Sequence, residues 1–154
     1  MTPVELQNRN RQSVADILNT LLADEFVLYT QTRNAHWNIK GQSFRELHAF
    51  FEEQYQILDK IVDDVAERVR AIEHFAIGTL SQFSELTQID EKTELSVQKV
   101  AITTLLSAHE TIIQYIKKQL NPVAEKYNDP GTADFMTGVM KEHEKMAWML
   151  RSYL

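Results

Sequence analysis

The sequence predicts an all-α protein, in which four long helices form a bundle and a short extra helix lies in the linker between the second and third. The chain of 154 residues contains only 4 Gly and 3 Pro, and so few breakers favour long helices over many short strands. Apolar residues recur at three- and four-residue spacing in four stretches. The linker after the second stretch is too long for a simple up-down-up-down bundle. We expect residues 1–154 to form a single domain.

The first two helices are expected to start at capping boxes. Thr2 and Glu5 form the first box, and this helix ends at Gly41. Ser43 and Glu46 form the second box. The second helix is expected to direct these apolar side chains towards the core: Phe44, Leu47, Phe51, Leu58, Ile61, Val65, Val69 and Ile72.

The rest of the chain contains a linker and two more helices. Residues 74–92 are less regular, and one short helix is expected at about 76–83. The third long helix begins at about Thr93, and Pro122 interrupts it near its end. The last helix covers about 130–152. Core positions of the third helix are Val97, Ala101, Leu105, Ala108, Ile112 and Ile116.

Composition excludes several classes of function. The net charge of −6 and the absence of a Lys-rich tail argue against strong binding to duplex DNA and favour attraction of cations. With 0 Cys no disulfide framework is possible, so we expect a reducing, cytoplasmic location. The polar start after Met1 predicts no secretory signal, and no apolar run is long enough to span a membrane.

The residues best suited to chemistry lie between 36 and 67. They are His36, His48, Glu52, Asp63 and Glu67, the nitrogen and oxygen donors that bind divalent transition metals. His36 and His48 are symmetric about the turn between the first two helices. In an antiparallel hairpin they should therefore lie at the same height.

Helix geometry separates the other candidates into two pairs. His48 and Glu52 are four residues apart, as are Asp63 and Glu67, and all four lie within an arc of about 100°. However, 11 residues of helix separate Glu52 from Asp63, which is about 16 Å. Metal–ligand bonds are close to 2 Å, so one helix cannot bring both pairs to one ion.

A two-fold dimer removes this difficulty. The two pairs are symmetric about the midpoint between Ile57 and Leu58. If two copies of the second helix cross antiparallel at this point, the pair His48 and Glu52 of each copy lies beside the pair Asp63 and Glu67 of the other. An isologous interface then makes two identical sites. Two His and three carboxylates suit iron better than zinc's closed tetrahedron, although affinity alone leaves zinc open. The alternative is ordinary: carboxylate pairs at this spacing are usually solvated, and a single helical His is usually structural.

At these residues the sequence resembles the Dps family, the DNA-binding proteins from starved cells, a branch of the ferritin superfamily. The matching motifs are His36-Trp37-Asn38, Gly41, Phe44, Leu47-His48, Asp63, Ala66-Glu67-Arg68, Gly131 to Phe135, Glu142 to Lys145 and Trp148 to Arg151. The resemblance covers nearly the whole chain. It implies a ferritin-like four-helix bundle and a homo-oligomer of twelve subunits forming a hollow shell.

The resemblance also implies an activity. Family members oxidise Fe(II), usually with hydrogen peroxide in preference to oxygen, and store ferric mineral. Two irons would bind at each inter-subunit site, held by His36, His48 and Glu52 of one subunit and Asp63 and Glu67 of the other. Glu52 replaces the family's commoner Asp, so its longer side chain bears on the iron–iron distance and on occupancy of the second position.

Four further residues match family features. Trp37 matches a tryptophan thought to absorb radicals beside the centre, with plain packing as the alternative. Glu125, Asp129 and Asp134 match acidic residues around three-fold pores where iron enters; the alternative is a polar loop with carboxylates at a helix start.

Two further interpretations concern the remaining histidines and the rival functions. No His follows a Glu by three residues, which argues against bacterioferritin and rubrerythrin sites, so His109 and His143 are interpreted as structural. The rival functions are DNA compaction, which the net charge disfavours, and a structural or immune-signalling relative without metal, which the intact His and carboxylate set disfavours.

Overall fold

The computed structural model describes residues 1–154 and contains helices but no strand. Five α-helices follow one another: α1 (Pro3–Asn38), α2 (Phe44–Ala71), α3 (Leu80–Leu86), α4 (Gln98–Asn121) and α5 (Pro130–Arg151). The predicted all-α class, with four long helices and a short extra one in the long linker, is confirmed. No helix combines the length and apolar character that crossing a bilayer requires.

The two predicted capping boxes have different outcomes. At α1, Thr2 Oγ1 accepts from the Glu5 amide at 3.2 Å and the Glu5 carboxylate accepts from the Thr2 amide at 2.7 Å, so the first box is confirmed. The second is wrong: Ser43 forms no side-chain cap bond, because its backbone (φ −94°, ψ 21°) is not in the extended conformation of a cap. The turn closes instead through a bond from the Phe44 amide to the Gly41 carbonyl, and the φ of 120° at Gly41 requires glycine.

The core is one cluster of buried apolar side chains contributed by all four long helices. Most of the predicted core positions are buried. Phe44 and Val97 are the exceptions, at 44% and 57% exposed. Each lies at the start of a helix: Phe44 is the first residue of α2, and Val97 immediately precedes α4.

The long linker between α2 and α4 runs along the side of α1. Four polar side chains of α1 hold its backbone: Asn19, Asp24, Gln31 and Asn34. Their partners occur in the same order along the linker, so the linker runs in the direction of α1. Consequently α4 starts at the same end of the bundle as α2, and these two helices are parallel. This is the single long crossover that the linker length predicted.

The predicted boundaries within the linker were wrong by several residues. The short helix is α3 rather than 76–83, and it begins where Thr79 and Gln82 form a capping box. Helix α4 begins at Gln98 rather than Thr93, because the preceding backbone is bound to α1; the Thr93 carbonyl, for example, accepts from Asn34.

The break between the last two helices lies where proline predicted it. Helix α4 ends at Asn121, and Pro122 opens a π-helical turn (Pro122–Lys126). The carboxylate of Asp129 then caps α5 by accepting from the Thr132 amide at 3.0 Å. This arrangement ends one helix and starts the next within a few residues.

Candidate metal centre

The turn between α1 and α2 brings His36 and His48 into direct contact, as the hairpin symmetry predicted. Their rings stack with centroids 3.8 Å apart and planes inclined by 13°. Nδ1 of His36 lies 2.7 Å from the main-chain carbonyl oxygen of His48, and Nδ1 of His48 lies 2.7 Å from that of His36. Because a carbonyl oxygen only accepts, each Nδ1 carries a proton, which leaves Nε2 of each ring as the nitrogen that can bind a ligand.

Aromatic side chains hold the two rings in place. Phe44 stacks on His48 with centroids 5.2 Å apart, which explains why this residue faces the site rather than the core. Tyr55 approaches His36 edge-on at 5.1 Å. The ring of His36 is buried and that of His48 is partly exposed, so the pair lies at the surface of the bundle with fixed orientation.

Glu52 continues this site one turn further along α2. Its carboxylate is exposed and accepts a hydrogen bond from the Tyr55 hydroxyl at 3.1 Å. Burial of the phenol, together with this bond, raises the pKa of Tyr55 above its ordinary value. The Arg33 guanidinium lies 3.9 Å above the Tyr55 ring. Tyr55 and Arg33 were missed in the sequence, although Tyr55 follows Glu52 by three residues, a spacing that places both on one helix face.

Asp63 and Glu67 form a separate group towards the other end of α2. Together with Asp64 they offer carboxylate oxygens within 4.8 Å of one another. Asp64 also accepts an ion pair from Lys60 at 3.0 Å, whereas Asp63 and Glu67 are exposed. A single subunit therefore brings His36 of α1 into contact with His48 of α2 and groups Asp63 and Glu67 with Asp64 further along α2. It does not bring the donor atoms of His36, His48 and Glu52 within 4.8 Å of one another.

The remaining candidates lie elsewhere. Trp37 is 63% exposed, so within the subunit it does not pack as a core residue. Glu125 and Asp134 are exposed near the break before α5. The Asp129 carboxylate already has two partners within the subunit: it caps α5, and it forms an ion pair with Arg68 at 3.5 Å.

A second polar group lies deep inside the bundle. His143 Nε2 lies 2.6 Å from Glu25 Oε1, and His143 Nδ1 lies 2.8 Å from His109 Nδ1. All three side chains are 0% exposed. Burial, and secondly the charge of His143, lower the pKa of His109 well below its ordinary value. This chain crosses from α1 through α5 to α4, so both histidines contribute to interior packing, and Glu25 is the partner that sequence reasoning missed.

Known proteins resemble this chain over almost its full length. The family model of the ferritin-like domain matches residues 15–154. A low temperature-induced protein of Nostoc sp. strain PCC 7120 is 36% identical over 152 residues, covering 98% of this chain and 85% of the relative. DNA protection during starvation protein 2 of Bacillus anthracis is 34% identical over 145 residues, covering 94% of this chain and 98% of the relative.

Solved structures agree with these relatives. The Dps protein of Vibrio cholerae O1, described as a member of a broad superfamily of ferritin-like diiron-carboxylate proteins, superposes with a TM-score of 0.89 at 33% identity, covering 94% of this chain and 91% of that one. A Dps protein of Bacillus brevis superposes with a TM-score of 0.89 at 32% identity, covering 94% of this chain and 97% of that one.

Proposed function

This chain belongs to the ferritin-like family and, within it, to the Dps proteins, and on that premise we propose that it oxidises Fe(II) and stores the ferric product. Membership of a diiron-carboxylate family supports a role in iron storage and protection. The finer proposal concerns the reaction, the residues that carry it and the assembly in which it occurs.

The reciprocal hydrogen bonds of His36 and His48 are the observation that carries the proposal. Iron is bound by the unprotonated nitrogen of a neutral imidazole, and a bond from the other nitrogen to a carbonyl fixes that tautomer. Both rings have such a bond within the subunit. Glu52, four residues beyond His48, adds a charged oxygen donor, which suits Fe(II) as the substrate.

The second half of the site is proposed to come from a partner subunit. One subunit keeps its two groups of ligands apart along α2, and a two-fold axis near Ile57 would bring Asp63 and Glu67 of the partner subunit to His36, His48 and Glu52. Ile57 is 38% exposed although it is a large apolar residue, and its burial in a dimer would favour association. Each dimer would then hold two equivalent sites, within a shell of twelve subunits.

The proposed reaction consumes two ferrous ions and one hydrogen peroxide at each site. Each Fe(II) gives one electron, the oxygen–oxygen bond breaks, and two Fe(III) and two hydroxide ions result. The carboxylates of Glu52, Asp63 and Glu67 neutralise the added positive charge until the product moves inward. Oxygen is the alternative oxidant. We infer that direct binding of duplex DNA is weak or absent, because the net charge is −6. We infer action in the cytoplasm, because a chain with 0 Cys suits a reducing compartment.

Stopped-flow oxidation of Fe(II) by the metal-free protein tests this proposal. We expect hydrogen peroxide to drive fast oxidation, and size-exclusion chromatography to show the iron eluting with an assembly much larger than one subunit. His74→Gln, which replaces a half-buried histidine outside the proposed set of ligands, serves as the control and should match the parent. Oxidation no faster than in buffer would overturn the proposal.

A further inference from the structure

Glu52 is the proposed ligand whose direction depends on a single contact. Its side chain is exposed, and its carboxylate accepts one hydrogen bond, from the Tyr55 hydroxyl to Oε1 at 3.1 Å. His36 and His48 differ, because each ring is fixed by a bond to the main chain of the other. The direction in which Glu52 points is therefore set by Tyr55.

Tyr55 is itself held from several sides. The residue is only 8% exposed, and the Arg33 guanidinium lies 3.9 Å from the centre of its ring. The rings of Tyr29 and His36 meet the Tyr55 ring edge-on, with centroids 6.2 and 5.1 Å away. A hydroxyl on a ring packed in this way has a fixed position, so it can orient a flexible carboxylate.

The contact with Tyr55 keeps Glu52 from converging with the histidines. His48 and Glu52 are one helical turn apart, a spacing at which two donors can chelate a single ion. The donor atoms of His36, His48 and Glu52 nevertheless do not all lie within 4.8 Å of one another. Within the subunit, the three side chains are therefore not arranged around one point.

From this geometry we propose that Tyr55 is a positioning residue, which holds Glu52 at the second of the two iron positions. The phenolic O–H occupies Oε1, so Oε2 is the oxygen left for a metal. Glu52 then binds through one oxygen and is not drawn onto the ion held by the histidines. The hydrogen bond also limits the rotamers of a side chain that is longer and more flexible than Asp.

This inference rests on the proposed function, because it concerns two irons at one shared site. It assigns the Tyr55 hydroxyl to the binding of the second ion. Removing the hydroxyl should therefore weaken the affinity for that ion and leave the reaction at a filled site unchanged.

Anaerobic titration of the assembled metal-free protein with Co(II), followed by the visible absorption of the bound ion, tests this assignment. We expect the parent to bind two ions per site. Tyr55→Phe keeps the ring and should bind the first ion with unchanged affinity and the second roughly 10-fold more weakly. Tyr29→Phe is the matched control, because its phenol bonds to Arg33 and to no proposed ligand, and it should match the parent.

A double-mutant cycle with Glu52→Ala shows whether Tyr55 acts through Glu52. Glu52→Ala alone should weaken the second ion, and adding Tyr55→Phe should have no further effect. These variants keep every other carboxylate, so ions bound elsewhere on the assembly contribute equally to each titration. An equal loss from Tyr55→Phe with and without Glu52 would overturn the inference.

The dependence of Fe(II) oxidation on iron concentration separates the binding of the second ion from the reaction. Tyr55→Phe should need roughly 10-fold more Fe(II) for its half-maximal rate and then reach the maximal rate of the parent. A lower maximal rate at unchanged half-saturation would overturn the inference, as would a parent that binds one Co(II) per site. Oxidation by the parent no faster than in buffer would remove the proposed function instead.

Discussion

His36 and His48 hold each other's imidazole rings by exchanging hydrogen bonds, since Nδ1 of each lies 2.7 Å from the backbone carbonyl of the other. The arrangement joins the last turn of α1 to the first turns of α2 across the hairpin. Ring orientation and tautomer are therefore set by the fold itself. A site preorganised in this way loses little side-chain entropy on binding a metal.

Replacing His36 by Asn separates the structural bond from the proposed metal bond. The Asn amide nitrogen occupies the place of Nδ1 and can still donate to the His48 carbonyl, but nothing replaces Nε2. We expect His36→Asn to keep its thermal midpoint within a few degrees and to lose at least roughly 10-fold in the rate of Fe(II) oxidation. Calorimetry and stopped-flow absorbance measure the two effects. Oxidation at the parent rate would show that His36 is not a ligand.

The acidic residues around the break between α4 and α5 are expected to have two different functions. Glu125 and Asp134 are exposed, so Glu125→Gln with Asp134→Asn should slow iron uptake by removing negative potential and leave stability unchanged. Asp129 caps α5 and pairs with Arg68, so Asp129→Ala should destabilise the fold by about 1–2 kcal/mol. Uptake kinetics and urea unfolding distinguish them. Unchanged uptake in the double variant would remove the pore from the account.

The buried chain of Glu25, His143 and His109 predicts a specific dependence of stability on pH. The pKa of His109 is lowered below its ordinary value of 6.5, so the unfolded chain takes up this proton first. The free energy of unfolding should therefore be fully maintained above pH 6.5 and fall as the pH drops below it, by up to about 1.4 kcal/mol per pH unit for one such group.

Urea unfolding between pH 5 and 7 at a fixed protein concentration measures this slope, for the parent and for His109→Gln. The variant should lose most of the His109 contribution, whereas His74→Gln should keep it. Equal slopes in the parent and in His109→Gln would show that the buried histidine does not couple proton binding to folding.

The long helices and the His36–His48 contact could be predicted because each depends on local spacing. Apolar periodicity fixes a helix, and symmetry about a short turn fixes the height of two residues in a hairpin. The start of α4 could not be read in this way, because hydrogen bonds to α1 hold the preceding backbone out of the helix. Asn34, for example, binds Thr93 from 59 positions away in the sequence.

The buried polar chain was missed for the same reason. Glu25 and His143 are 118 residues apart, and each alone reads as an interruption in an apolar stripe. Only the assembled bundle pairs them, because the two side chains meet in its interior. Tyr55, in contrast, carried a readable signal, because a residue three positions after Glu52 shares its helix face.

Mixing two inactive variants tests the central claim of a shared site most directly. One variant carries His36→Asn and His48→Asn, and the other carries Asp63→Asn and Glu67→Gln. Shells containing both are isolated through two different affinity tags, and Fe(II) oxidation is measured. If the site spans a two-fold interface, each mixed dimer regains one intact site of two, so random assembly should restore about a quarter of the parent rate. Mixed shells no more active than either variant alone would contradict a site shared between subunits.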